Sequence, residues 1–202
     1  MLDQLIELDK KLLVFLNSFH APWLDPIVYF STQTLAWLPL YILLLYLIIK
    51  EYKKESWIIL LGVVLTILLA DQFTTSFMKP YFERPRPSHE PTLQGLVHLV
   101  NRFNGEIYSG GQYGFASSHA ANTFGTATFF FLLFKTKKKW IGWLFLWAGI
   151  MTYTRIYLGV HYPGDILVGG IVGVLAGIAG FKSQEWLGQY LAKRKTPSTT
   201  DQ

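Results

Sequence analysis

Thr154-Arg155-Ile156-Tyr157-Leu158-Gly159-Val160-His161-Tyr162-Pro163-Gly164-Asp165 stands between two long apolar runs, 140–158 and 163–181. A polar connection so placed predicts a tight turn at a membrane surface. Pro163 and Gly164 suit the first turn of the following helix, where a missing N–H does no harm. His161 then falls just outside that helix and Asp165 inside its first turn. Such an Asp can hold one imidazole nitrogen as N–H and leave the other bare, as a histidine nucleophile or base requires. Arg155, a short loop away, offers a fixed guanidinium fork suited to phosphate.

Outward from this stretch the chain alternates apolar runs with short charged clusters. Of its 202 residues, 51% are hydrophobic and only 15% charged, well under the roughly 25% charged residues of soluble domains. This composition predicts an all-α integral membrane protein. The net charge of +5 is gathered at the ends of apolar segments, a topogenic pattern and not a nucleic-acid footprint. Without cysteine there is no disulfide, thiolate catalysis or Cys-ligated zinc.

Residues 1–21 read as an amphipathic interfacial helix, with Leu2, Leu5, Ile6, Leu12, Leu13, Phe15, Leu16 and Phe19 interleaved with charges. Residues 22–182 read as a six-span domain. Its apolar segments lie at 22–33 (a half-span or the start of a tilted span), 35–50, 57–79, 118–134, 140–158 and 163–181. An external loop, 80–116, separates the third from the fourth. Residues 183–202 read as a polar cytoplasmic tail, disordered over 196–202. Gly169, Gly173 and Gly177 recur every four residues, so neighbouring helices should approach the last span closely. If Lys10, Lys11, the basic clusters at 50–54 and 135–139 and the tail are cytoplasmic, only Lys79, Arg84, Arg86, Arg102 and Arg155 remain outside. The positive-inside rule then puts both termini in the cytoplasm.

Those outside cations fall in three clusters. Lys79, Arg84 and Arg86 lie in a segment stiffened by Pro80, Pro85 and Pro87. Ala116-Ser117-Ser118-His119 opens the fourth span, where a helix N-terminus can bind an anion. The third cluster is Arg155…His161…Asp165. Singly, each has an ordinary structural reading as snorkelling cations, a cap or a helix-end histidine; at one membrane depth they compose a phosphate site. Glu83 and Arg84 read as a surface pair, or as supports behind the phosphate ligands, and Asp71 as a bundle-facing carboxylate bonded to a neighbouring helix. His89 and His98 have no partner at telling spacing, and His20 marks an interface. Loop 88–114 reads as a lid that selects the headgroup, with Leu93, Leu96, Val97, Leu99 and Val100 on the bilayer surface.

Lys79-x6-Arg86-Pro87, Ser117-x-His119 and Arg155-x5-His161-x3-Asp165 together resemble the three-part signature of the type 2 phosphatidic acid phosphatase superfamily. That group comprises membrane lipid phosphate phosphatases and soluble vanadium haloperoxidases. Ala116 and Ser118 stand where the family's second motif has Pro and Gly, and Thr154 where the third has Ser. The resemblance implies metal-independent hydrolysis of a lipid phosphate or pyrophosphate, of undecaprenyl pyrophosphate or lipid A type, at the extracytoplasmic face of the cell membrane and without a cofactor. Lys79, Arg86 and Arg155, with Ser117 and the Ser118 N–H, would clamp phosphate. His161, oriented by Asp165, would be the nucleophile, and His119 the acid for the leaving oxygen. The alternative is a non-catalytic protein that binds or moves an anionic lipid in the same pocket.

Overall fold

In the computed structural model, which describes residues 2–195, the chain is all-helical, with two isolated β-bridges and no strand among those residues. Helix α1 is Leu2–Asn17 and α2 Asp25–Ser31; a 3-10 turn, Thr34–Trp37, leads into α3, Leu38–Tyr52. Helix α4, Ser56–Gln72, continues through a π-helical stretch, Phe73–Met78, into the short α5, Lys79–Phe82. After the loop come α6 (Ser118–Phe134), α7 (Trp143–Tyr157) and α8 (Pro163–Lys195). Two of the helical runs, Thr34–Phe82 and Pro163–Arg194, are long and apolar enough to cross a membrane.

Helices α4, α6 and α8 form the packed centre, and the glycine stripe makes it possible. A Cβ on Gly173 would stand 2.3 Å from the Ala121 carbonyl oxygen, and one on Gly169 2.4 Å from that of Ser117. Both distances are below any van der Waals approach, so α8 meets the α6 backbone only because these positions carry no side chain. Outside this centre, Leu44, Ile48, Phe129, Phe134, Leu144 and Met151 join α3, α6 and α7 in the main apolar cluster.

The architecture corrects the expected six spans. Segment 22–33 yields the seven-residue α2, about 10 Å long at 1.5 Å per residue and too short to cross a bilayer. Asp25 and Pro26 start it, and polar Thr32 and Gln33 end it before it can extend. The chain therefore runs lengthwise five times, with α1 at the same end as His161. Asp9 of α1 accepts the Gly164 N–H at 2.8 Å, and Asn17 donates to the Ile156 and Tyr157 carbonyls at 3.0 and 2.9 Å. The opposite end carries Glu51 paired with Lys137. Lys10 and Lys11 thus belong with the site and not with the basic clusters, and the two ends of the described chain lie at opposite ends of the bundle.

Two further expectations change. The polar stretch after Phe181 stays helical to Lys195, and the disorder expected at 196–202 lies outside the described residues. The loop is packed down as well. Leu93 and Val100 are buried against α1 and the end of α7, while Leu96 remains exposed. Burial on protein takes the place of the expected bilayer contact because α1 covers Leu93, and α2 with the end of α7 covers Val100.

Candidate active site

The loop after α5 carries the first cluster to the second and third. Helix α4 arrives through its π-helical stretch, a distortion common at functional sites, and Lys79 follows at once. Glu83 takes a left-handed conformation (φ 44°) that ends α5. Arg86 N–H then donates to the Gln112 carbonyl at 3.0 Å, and Gly114 N–H to that of Arg84 at 2.9 Å, so 84–86 and 112–114 run side by side across the site. A Cβ on Gly114 would sit 3.0 Å from Asp165 Oδ2 and 3.2 Å from Arg86 Cγ; the backbone itself forms this wall.

His161 is 1% exposed. Its Nδ1 lies 3.2 Å from Asp165 Oδ2, and its Nε2 3.2 Å from Arg86 Nη1. Arg86 can only donate, so Nε2 is the bare nitrogen and Nδ1 bears the hydrogen that Asp165 accepts. Burial, then the charges of Arg86, Arg155 and Lys79, hold this imidazole well below the usual histidine range, leaving it neutral at neutral pH. Asp165 is fully occupied: Oδ2 also accepts the Tyr162 N–H at 3.0 Å, and Oδ1 accepts Arg84 Nη1 at 2.9 Å.

The cations gather on the Nε2 side. Arg86 donates through Nε to the Tyr113 carbonyl at 3.1 Å. Burial and nearby Arg155 bring its guanidinium down to about 10, still cationic at neutral pH. Arg155, 1% exposed, is held by the Thr32 hydroxyl and, at 2.9 Å, by the Tyr108 hydroxyl, while its buried Nε has no partner. Lys79 Nζ donates to Ser118 Oγ at 2.8 Å, and Thr74 and Thr75 hydroxyls meet the same oxygen at 3.0 and 2.9 Å. A Ser in place of the family's Gly therefore gives the lysine an anchor. Ser117 caps α6 by accepting the Ala120 N–H at 3.4 Å, and its own N–H donates to the Asp165 carbonyl at 3.0 Å. Its hydroxyl hydrogen is left to donate, and the Ser118 and His119 N–H groups open the first turn of α6, where a helix supplies them no acceptor. His119 lines a cavity between α6 and α7.

All eight expected site residues thus belong to this end of the bundle, but sequence reasoning left Arg84 between two readings and missed Asp9. Arg84 is no surface partner of Glu83: it bridges Asp165 to Asp9, whose Oδ2 lies 2.8 Å from Nη2, and stacks on Tyr162 at 3.8 Å. Asp9 gave no signal, because its partners lie 75 and 155 residues away. His98 also has partners that spacing could not reveal, Asp25 at 3.0 Å and the stacked ring of His20. Asp71 is bonded across to Asn122 at 3.4 Å, as expected of a bundle-facing carboxylate.

A buried, unpaired arginine Nε, a lysine, a second arginine and a helix N-terminus near one bare imidazole nitrogen are an arrangement that can hold an anion beside a potential nucleophile. A lipid A 4'-phosphatase of Bacteroides thetaiotaomicron is 38% identical over 97% of this chain and 82% of its own length. A lipid A 4'-phosphatase of Porphyromonas gingivalis is 34% identical over 93% of this chain and 79% of its own. The crystal structure of Aquifex aeolicus LpxE superposes with a TM-score of 0.58 at 27% identity, covering 87% of this chain and 95% of that one. The PAP2 superfamily profile matches residues 57–189, and the chain belongs to that family of phosphatases.

Proposed function

We propose that this protein removes phosphate from a lipid A-type glycolipid at the extracytoplasmic face of the cell membrane, through a phosphohistidine on His161. The observation that carries the reading is the double engagement of His161, with Nδ1 held by Asp165 and Nε2 turned to Arg86. The substrate class rests on the two lipid A 4'-phosphatases to which the chain is similar over nearly its whole length. The outward face rests on the basic clusters at the opposite end of the bundle.

An entering phosphate takes Arg86 from Nε2 onto its own oxygens, which frees the lone pair. Lys79, the Arg155 Nε–H, the Ser117 hydroxyl and the N–H groups of α6 bind the remaining oxygens and stabilise the charge of the five-coordinate state. Nε2 forms a bond to phosphorus as the phosphorus–lipid oxygen bond breaks. His119 gives that oxygen its proton, then takes one from the water that splits the N–P bond. Asp165 balances the positive imidazole ring throughout.

The test is phosphate release by purified protein from lipid A, undecaprenyl pyrophosphate, phosphatidylglycerol phosphate and phosphatidic acid, with alkaline-quench trapping of labelled protein, because the N–P bond survives base and not acid. Wild type should release phosphate with a chelator present, and His161→Ala should lose both turnover and label. A labelled His161→Ala protein, or activity that vanishes with chelator and returns with magnesium, would overturn the mechanism. Binding of these lipids without hydrolysis would favour the lipid-carrier alternative.

A further inference from the structure

A cavity of about 370 Å³ opens beside His119, walled by the 3-10 turn and by α3, α4, α6 and α7. Nearest the phosphate clamp its wall is polar, with Thr32, Gln33, Asn122 and Thr123. Thr32 also holds Arg155, so clamp and cavity share a wall. Farther along, Tyr41, Ile67 and Thr126 line both this cavity and an adjoining one of about 220 Å³, whose remaining lining is aliphatic or aromatic. Polarity therefore falls along a continuous path away from His119.

Two polar atoms on this wall have no hydrogen-bond partner: the Trp147 indole nitrogen and Asn122 Oδ1. Trp147 is 8% exposed. The Asn122 amide is oriented by Asp71, whose carboxylate accepts from Nδ2 at 3.4 Å, so oxygen is the atom left over. An indole N–H can only donate and an amide oxygen only accept. Buried groups left in this way are uncommon in folded proteins, and here one donor and one acceptor belong to residues that line the same cavity.

We infer that this cavity is the leaving-group subsite and that it takes an acylated sugar, whose ring substituents both accept from Trp147 and donate to Asn122 while an acyl chain enters the apolar continuation. The inference rests on the phosphatase reading above. It follows from His119: the leaving oxygen must come within reach of that imidazole, so the group behind it must lie in the space His119 borders. A sugar hydroxyl or acylamide both donates and accepts. The ester carbonyls of a diacylglycerol accept but cannot donate to Asn122. A prenyl diphosphate leaves as a prenyl phosphate, whose oxygens accept but do not donate to Asn122 and whose chain does neither.

The experiment compares kcat/KM for an acylated glucosaminyl phosphate, phosphatidic acid and a prenyl diphosphate in mixed micelles, for wild type, Trp147→Phe and Asn122→Ala. Wild type should prefer the sugar phosphate. In Asn122→Ala the ratio of kcat/KM for the sugar phosphate to that for phosphatidic acid should fall about tenfold, because a site built to hydrogen-bond a group discriminates through that bond. Trp147→Phe removes an N–H that either substrate can use, and should lower kcat/KM for both. The ratio is measured within one preparation, so a partly unfolded variant does not disturb it. A ratio within twofold of wild type in Asn122→Ala would overturn the subsite. So would a wild type that hydrolyses the prenyl diphosphate or phosphatidic acid in preference, though the phosphatase reading would stand. A wild type that hydrolyses none of the three overturns that reading and this inference with it.

Discussion

Arg84 gives the sharpest test of how the His–Asp pair is held. Its Nη1 lies 2.9 Å from Asp165 Oδ1, its Nη2 2.8 Å from Asp9 Oδ2, and the Arg84 side chain is 21% exposed while that of Asp165 is fully buried. Arg84→Ala leaves Asp165 with the Tyr162 N–H and His161 alone. A hydrogen bond to a charged group contributes about 1.5–3 kcal/mol, and a buried carboxylate that loses a cationic donor is costly. Its Oδ2 also loses the fixed plane that faces Nδ1. If that energy is expressed as the ring becomes cationic, kcat falls roughly 10- to 100-fold. KM should stay within about threefold, because Arg84 touches Asp165 and not the phosphate space. Arg84→Lys should recover part of the loss. Asp9→Asn keeps an acceptor for Gly164 but weakens the outer half of the bridge, so a fall of about threefold is expected. Combined with Arg84→Ala it should add nothing, since Asp9 acts through Arg84. The assay is steady-state phosphate release in mixed micelles. Additive losses in the double variant, or an Arg84→Ala protein with kcat near wild type while Asp165→Asn is crippled, would show that the bridge only tethers α1.

Two other outcomes follow from the geometry. Single cysteines at residues 3 and 104 should be labelled together from outside intact cells and one at 137 should not, because α1 shares the site's end of the bundle; protection of residue 3 with labelling of 104 would restore the six-span topology. For pH, His161 is held well below the usual histidine value, so the acid limb of kcat/KM should lie below the ordinary pKa of about 6.5. Between the two values the unfolded chain binds the proton and the folded one does not, so stability should decline as pH falls through about 6.5; an acid limb at or above that value, or no such loss of stability, would contradict a buried neutral imidazole.

What the sequence made legible was local or periodic. Apolar runs set the main helices, and the four-residue glycine spacing located the α6–α8 contact because backbone approach needs a missing side chain at every turn. The candidate site was readable as a cluster because its members are charged or polar groups at the ends of apolar helices. What stayed hidden was register between distant segments. Thr32 and Gln33 permit a stop without requiring one, so segment 22–33 reads equally as a half-span or as the start of a tilted span, and that choice alone decides which side α1 lies on. Charge counting erred over Lys10 and Lys11 for the same reason: α1 could be placed as a helix but not at an end of the bundle. Leu93 and Val100 were apolar loop residues with two possible partners, bilayer or protein, and only the positions of α1 and α2 choose between them. Arg84 could be a surface cation or a support until Asp9 and Asp165 came into contact with it.

The position of each carboxylate explains how so many buried cations coexist with a bound anion. Asp165 and Asp9 stand behind His161, away from Nε2, and all four of their oxygens accept hydrogen bonds, from His161, Tyr162, Arg84 and Gly164. Asp71 is taken up by Asn122 on α6. Neither Asp165 nor Asp9 has an oxygen left over to repel a phosphate or compete for Arg86 and Arg155. Those two cations and Lys79 in turn meet mainly neutral oxygens, from Ser118, Tyr113, Thr32 and Tyr108. Neutral acceptors hold a cation in place without neutralising it, so its charge remains for the substrate. The same division fixes the tautomer of His161: negative charge behind the ring holds the proton on Nδ1, and Arg86 in front keeps Nε2 bare. A phosphate that replaces Arg86 at Nε2 therefore meets a lone pair already aimed at it.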